Sequence, residues 1–159
     1  MHGVAPRVIK GKAWWDEKRQ EAYKSTNYHC AACGVHKSRA KYHQWLEAHE
    51  LYDLDYRRGR MVLREIVPLC HSCHNYIHSG RMRALVAKGE FSPQKRRAIH
   101  RHGDIILDQA KLTRKKFNGV VADWGKWRMV IDGEEYPPKC PSFREWKRVY
   151  WLTESVTSD

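Results

Sequence analysis

Two cysteine pairs constrain this chain more than any other feature. Cys30-x2-Cys33 lies in "YHCAACG" and Cys70-x2-Cys73 in "PLCHSCHNYIH", and 36 residues separate the pairs. Each spacing lets two thiolates on one turn share an ion at about 2.3 Å, and the second pair completes a tetrahedron. A four-cysteine zinc site is therefore expected, with the ion stapling a whole module across the intervening residues. The fifth cysteine, Cys140 in "PPKCPS", has no partner at metal spacing and reads as an ordinary thiol.

Compartment follows from the same chemistry. No stretch approaches the roughly 20 apolar residues of a membrane span, and "MHGVAPRVIKGKAWWDEKRQ" has no apolar core of a signal peptide. The expectation is a cytoplasmic, reducing setting without membrane association, where close cysteine pairs hold metals more often than disulfides.

Length and charge narrow the partner. The 159 residues suit one core with extensions, and a formal charge of +12 favours a polyanion such as nucleic acid. The charge is localised: residues 81–116 hold eleven basic and three acidic side chains, which is +8 of the total. Arg81, Arg83, Lys95, Arg96, Arg97, Arg101, Lys115 and Lys116 are the expected phosphate contacts.

Local patterns give a coarse order of elements. "AWWDEKRQEAYKSTN" reads as a helix from about Trp15 to Ser25. "QWLEAHE" and "GRMVLREIVPL" read as strands flanking a loop "LYDLDYRR", and "HSCHNYIHS" as a helix directly after them. "RMRALVAKG" is a short helix. A longer one runs from the cap Ser92 and Pro93 to Asn118-Gly119, with Gly103 a point where it can break. Asp132-Gly133 marks a hairpin turn, and Ser142 with Glu145 has the spacing of a capping box at the start of a last helix. Four tryptophans from Trp124 onward are expected mostly to fill a small core there. The expected segments are an N-terminal helical extension (1–27), a zinc-stapled core (28–80), a basic helical arm (81–118) and a Trp-rich hairpin with a helix (119–159).

His74 and His78, four apart on the helix that starts at the second cysteine pair, project from one face and suit a second cation. His49 ends the first strand, beside that helix in a compact strand–strand–helix unit. His29, His36, His43 and His71 are read as making local hydrogen bonds or facing solvent, and His100 and His102 as extending a basic face.

"CAACG", "WLEAHE" and "EIVPLCHSCHNYIH" together resemble the zinc-stapled branch of the HNH endonuclease family, phage or mobile-element type, over about residues 28–80. The resemblance implies a small ββα-metal core, and with the helical extensions and C-terminal hairpin plus helix read above the expected fold class is α+β. It also implies metal-dependent hydrolysis of DNA, most simply double-stranded. His49 falls on the family's general base, and His74 and His78 fall on its catalytic metal ligands for Mg, Mn or Ni. Two positions depart from the pattern. Glu65 stands where the family has an asparagine, and Ala48 where it has a metal ligand, so Glu47 or Glu50 would have to supply that carboxylate. A register shifted by one residue instead makes His49 a ligand and leaves Glu50 at the base position. Alternative readings are a zinc-stabilised DNA-binding module without catalysis, and a nuclease subunit directed by RNA or by a protein partner; a homodimer is also compatible.

The chemistry needs these groups whatever the family. Hydrolysing a phosphodiester takes a proton acceptor for water, which imidazole supplies near neutral pH, and a cation to neutralise charge developing on the phosphate.

Overall fold

The computed structural model describes residues 5–114 and 117–151, and shows a mixed α+β chain with six helices and a four-stranded sheet. The helices are α1 (Pro6–Lys10), α2 (Lys12–Ser25), α3 (His71–Ile77), α4 (Ser79–Ala87), α5 (Pro93–Gln109) and α6 (Phe143–Trp146). The strands are β1 (Glu47–Asp55), β2 (Arg60–Leu69), β3 (Arg128–Ile131) and β4 (Glu134–Tyr136), in the order β1-β2-β3-β4. No helix among the described residues is long and apolar enough to cross a membrane.

The chain divides into two compact units. The first takes its described residues from 1–16, 50–65 and 117–159. In it β2 pairs in parallel with β3, Arg60 opposite Arg128 and Val62 opposite Val130, and β3 pairs antiparallel with β4. Trp127, Met129 and Ile131 are almost wholly buried and form its centre. The Trp127 indole donates to the Ala122 carbonyl at 3.1 Å, which removes the cost of burying its N–H. Trp124, Phe143 and Trp146 pack together, with ring centroids 5.6 to 6.1 Å apart. Of the C-terminal tryptophans, Trp127 fills a core as expected, whereas Trp124 and Trp146 are half-buried; Ser142 caps α6 by accepting from the Glu145 N–H. Asp132 and Gly133 both have positive φ, 53° and 84°, as a two-residue hairpin turn demands.

The second unit comprises residues 17–49 and 66–116, and holds the cysteine and histidine groups. Its centre packs Cys30, Ala40, Leu46, Leu69, Cys70 and Cys73 with Tyr23, Tyr28 and Val67. A second cluster, Met82, Phe91 and Ile99 with Tyr76 and Leu85, joins α3, α4 and α5.

Three sequence expectations are corrected. The stretch read as the loop "LYDLDYRR" is strand through Asp55, leaving only the turn at 56–59. The long helix from Pro93 stops at Gln109 instead of reaching Asn118; Ser92 caps it as expected, accepting from the Lys95 N–H at 3.1 Å. Gly103 does not break it. A Cβ there would lie 2.2 Å from the Tyr76 ring, so glycine is needed for α3 to lie close against α5.

Candidate metal centres

The first centre is the four-cysteine group. Val35 and Cys30 carbonyls accept from the Cys30 and Gly34 N–H groups, at 2.9 Å each, forming the first knuckle. The Ala31 N–H donates to the Pro68 carbonyl at 2.8 Å, which draws that knuckle to the end of β2. Cys70 is the N-cap of α3, so Cys73 sits in its first turn. All four sulfurs lie within 4.8 Å of one another. The Cys33 and Cys70 sulfurs are 3.8 Å apart, and sulfurs bonded at about 2.3 Å to one tetrahedral ion are separated by about 3.8 Å.

Protons alone serve four crowded thiols unevenly. Hydrogen bonds from Cys30, Cys70 and Cys73 hold Cys33 far below the usual thiol range, whereas contacts with Cys30, Cys33 and Cys70 push Cys73 far above it. A divalent ion removes that conflict by binding all four as thiolates, so the group fits a structural metal such as zinc. His102 on α5 brings Nε2 to 3.4 Å from the Cys73 sulfur. It is a partner of the cysteine group and not part of a purely basic face.

The second centre is His49, His74 and His78, whose ligand atoms also lie within 4.8 Å of one another. His74 and His78 are one turn apart, with the His78 N–H donating to the His74 carbonyl at 3.1 Å. Their ring centroids are 4.6 Å apart, and the His49 ring lies 5.4 and 5.0 Å from them. His49 is 9% exposed, and its buried Nδ1 has no hydrogen-bond partner among the described residues. Burial, with the charge of His74 second, pushes the His49 imidazole down to about 4. Burial, followed by the charges of His74, His49 and Arg81, takes His78 to about 4 as well. Three crowded imidazoles, one with a buried unpaired nitrogen, are a donor set suited to a divalent cation.

Sequence reasoning missed a third group: His43, Glu47 and His71. Expected to be local or solvent-facing, His43 and His71 instead both bond the Oε1 of Glu47, at 3.0 and 2.9 Å. Their own nitrogens approach to 2.9 Å. Glu47 also contacts His74 Nδ1 through its other oxygen. Burial pushes the Glu47 carboxyl up, but His71 and His74 outweigh it and hold the group well below the usual carboxylate range. Buried Asn75 donates to the His71 carbonyl at 2.9 Å, and its amide nitrogen lies 3.3 and 3.4 Å from the two ring nitrogens. Only strand alternation, which puts Glu47 and His49 on one face of β1, hinted at this grouping.

The remaining expected site residues are dispersed. Glu50 and Glu65 belong to the first unit, Glu65 exposed on β2, and neither is in any of the three groups. Arg81, Arg83, Arg97 and Arg101 are exposed on α4 and α5. Lys95 and Arg96 are half-buried, Lys95 lying 4.5 and 4.3 Å from the Tyr42 and Phe91 ring centroids. Lys115 and Lys116 lie outside the described residues. No protein-family model, curated protein or solved structure matches the chain.

Proposed function

We propose that the chain is a metal-dependent endonuclease of the HNH type acting on DNA, with a four-cysteine zinc staple. The observation that carries the reading is the convergence of His49, from the strand preceding the hairpin turn, on His74 and His78 of the helix that the cysteine group anchors. Strand, strand and helix follow one another in the order that the resemblance implies. Arg81, whose charge bears on His78, begins a basic stretch that suits a phosphate backbone.

A divalent ion held by the three imidazoles would supply Lewis-acid stabilisation of the charge that develops on the phosphodiester. The residues themselves bind and orient. Glu47 fixes the His74 ring, as carboxylates do for ligating histidines, and burial keeps His49 and His78 neutral, the form in which they bind a cation. Arg97 and Arg101, four apart on one face of α5, would offer two positive charges to a phosphate backbone.

The position of His49 among the ligand atoms favours the shifted register, in which it is a third ligand instead of the base. His49→Ala separates the two roles. As a ligand, its loss lowers metal affinity by at least about 100-fold, since even loss of a partner behind a ligand costs about 10- to 100-fold. Cleavage then returns with excess Mn. Activity that stays absent at saturating Mn assigns His49 the role of base. Activity unaltered by the substitution removes His49 from the centre altogether.

A further inference from the structure

We infer that His43, Glu47 and His71 form a second divalent-cation site, joined to the His49, His74 and His78 site through the Glu47 carboxylate. His43 Nε2, His71 Nδ1 and Glu47 Oε1 are mutually 2.9 to 3.0 Å apart. A ring nitrogen has a single in-plane direction, occupied either by a proton or by a lone pair, so it serves one hydrogen bond. Two nitrogens and one oxygen therefore satisfy at most two of the three edges, and the third brings together atoms with no proton between them. Ligand atoms bonded at about 2.1 Å to one octahedral ion lie about 3.0 Å apart along every edge. One cation satisfies all three contacts at once.

The ring of His43 is set for that task. Its Nδ1 donates to the Trp45 carbonyl at 3.2 Å, which leaves the lone pair of the neutral ring on Nε2, facing Glu47 and His71. Trp45 stacks on the ring at 3.7 Å between centroids and only 3° between planes, and holds its orientation. A backbone carbonyl fixing the far nitrogen is the usual support behind a ligating histidine. The group is also sheltered: the side chains of His43, Glu47 and His71 are 12%, 23% and 16% exposed. Two histidines and a carboxylate on one face of an octahedron leave three positions open, a donor set that suits a six-coordinate ion such as Ni better than tetrahedral zinc, whose ligand atoms would lie about 3.4 Å apart. The other Glu47 oxygen touches His74, so one carboxylate reaches both histidine groups.

The inference rests on the neighbouring histidine site of the proposed function only for the second half of the bridge, and it is read by counting ions without any cleavage assay. The full-length chain is dialysed against zinc, which fills the cysteine group, and then against nickel, and total bound metal is measured by elemental analysis. One ion at each of the three groups gives three per chain. His43→Ala is expected to bind two and His78→Ala also two, each variant losing a different ion. A His43→Ala variant that binds as many ions as wild type overturns the inference, as does a wild-type count of two that His78→Ala lowers to one; a wild-type count of two that His43→Ala lowers to one and His78→Ala leaves unchanged keeps the second site and empties the His49, His74 and His78 group. If His43→Ala loses its fold by circular dichroism, His43→Gln and the His78→Ala count decide the matter by the same comparison. Absence of DNA cleavage with three ions bound would count against the nuclease reading and leave the second site standing.

Discussion

At the scale of single residues, neutrality of the buried imidazoles sets how the protein should respond to acid. An unfolded chain protonates His49 and His78 near 6.5, whereas the folded chain resists down to about 4. Between those values the unfolded state binds more protons, so the stability these groups contribute is present above pH 6.5 and is lost as pH falls toward 4. Bound metal acts in the same direction, because the ligand imidazoles must be neutral. Thermal unfolding followed from pH 7.5 to 4 should show a falling midpoint, and a His78→Gln variant should show a shallower fall. An unchanged slope in that variant would mean that His78 does not titrate in a buried group. The cysteine site was legible in the sequence because its spacing is local, three residues on one turn, twice over. His43 and His71 were not, since 28 positions separate them and only the folded strand brings Glu47 between them.

At the scale of elements, the contact of α3 with α5 holds the histidine-bearing helix in place. Tyr76 lies over Gly103 and donates to Asp104 at 2.6 Å, while Arg114 covers the ring at 4.0 Å and bonds its hydroxyl at 2.9 Å. Gly103→Ala should therefore destabilise the protein by about 1–3 kcal/mol through overpacking, although alanine is intrinsically the better helix former. Gly80 in α4 is the control: a Cβ there meets nothing within 4 Å, and Gly80→Ala should stabilise by up to about 1 kcal/mol. Chemical denaturation of the two variants checks both signs. If both glycines respond alike, the packing of Tyr76 on Gly103 is not what selects glycine. From the sequence alone Gly103 looks like a helix break, because propensity is local and Tyr76 comes from another element. The strand β1 was cut short for a related reason. "LYDLD" mixes Leu and Tyr with two Asp and is largely exposed, and what keeps it extended is pairing within the sheet, which single-residue patterns do not carry.

At the scale of the whole molecule, charge and metal chemistry make separable claims. If exposed Arg97 and Arg101 each neutralise one phosphate, Arg97→Ala with Arg101→Ala should flatten the dependence of log K on log salt for duplex DNA by about 1.8, at about 0.9 per contact. The half-buried Lys95 and Arg96 should contribute less, because Lys95 is already occupied with Tyr42 and Phe91. An unchanged slope would place the DNA elsewhere than on α5. The measurement closest to the central claim is cleavage of duplex plasmid by the wild-type protein after brief chelation, with Mg, Mn, Ni or Zn restored one at a time, beside His78→Ala. The account predicts no cleavage by the chelated protein and cleavage once at least one ion is restored. It predicts for His78→Ala a loss of at least about 100-fold at limiting metal. DNA bound but left intact with every ion, or cut equally well by His78→Ala, would contradict it.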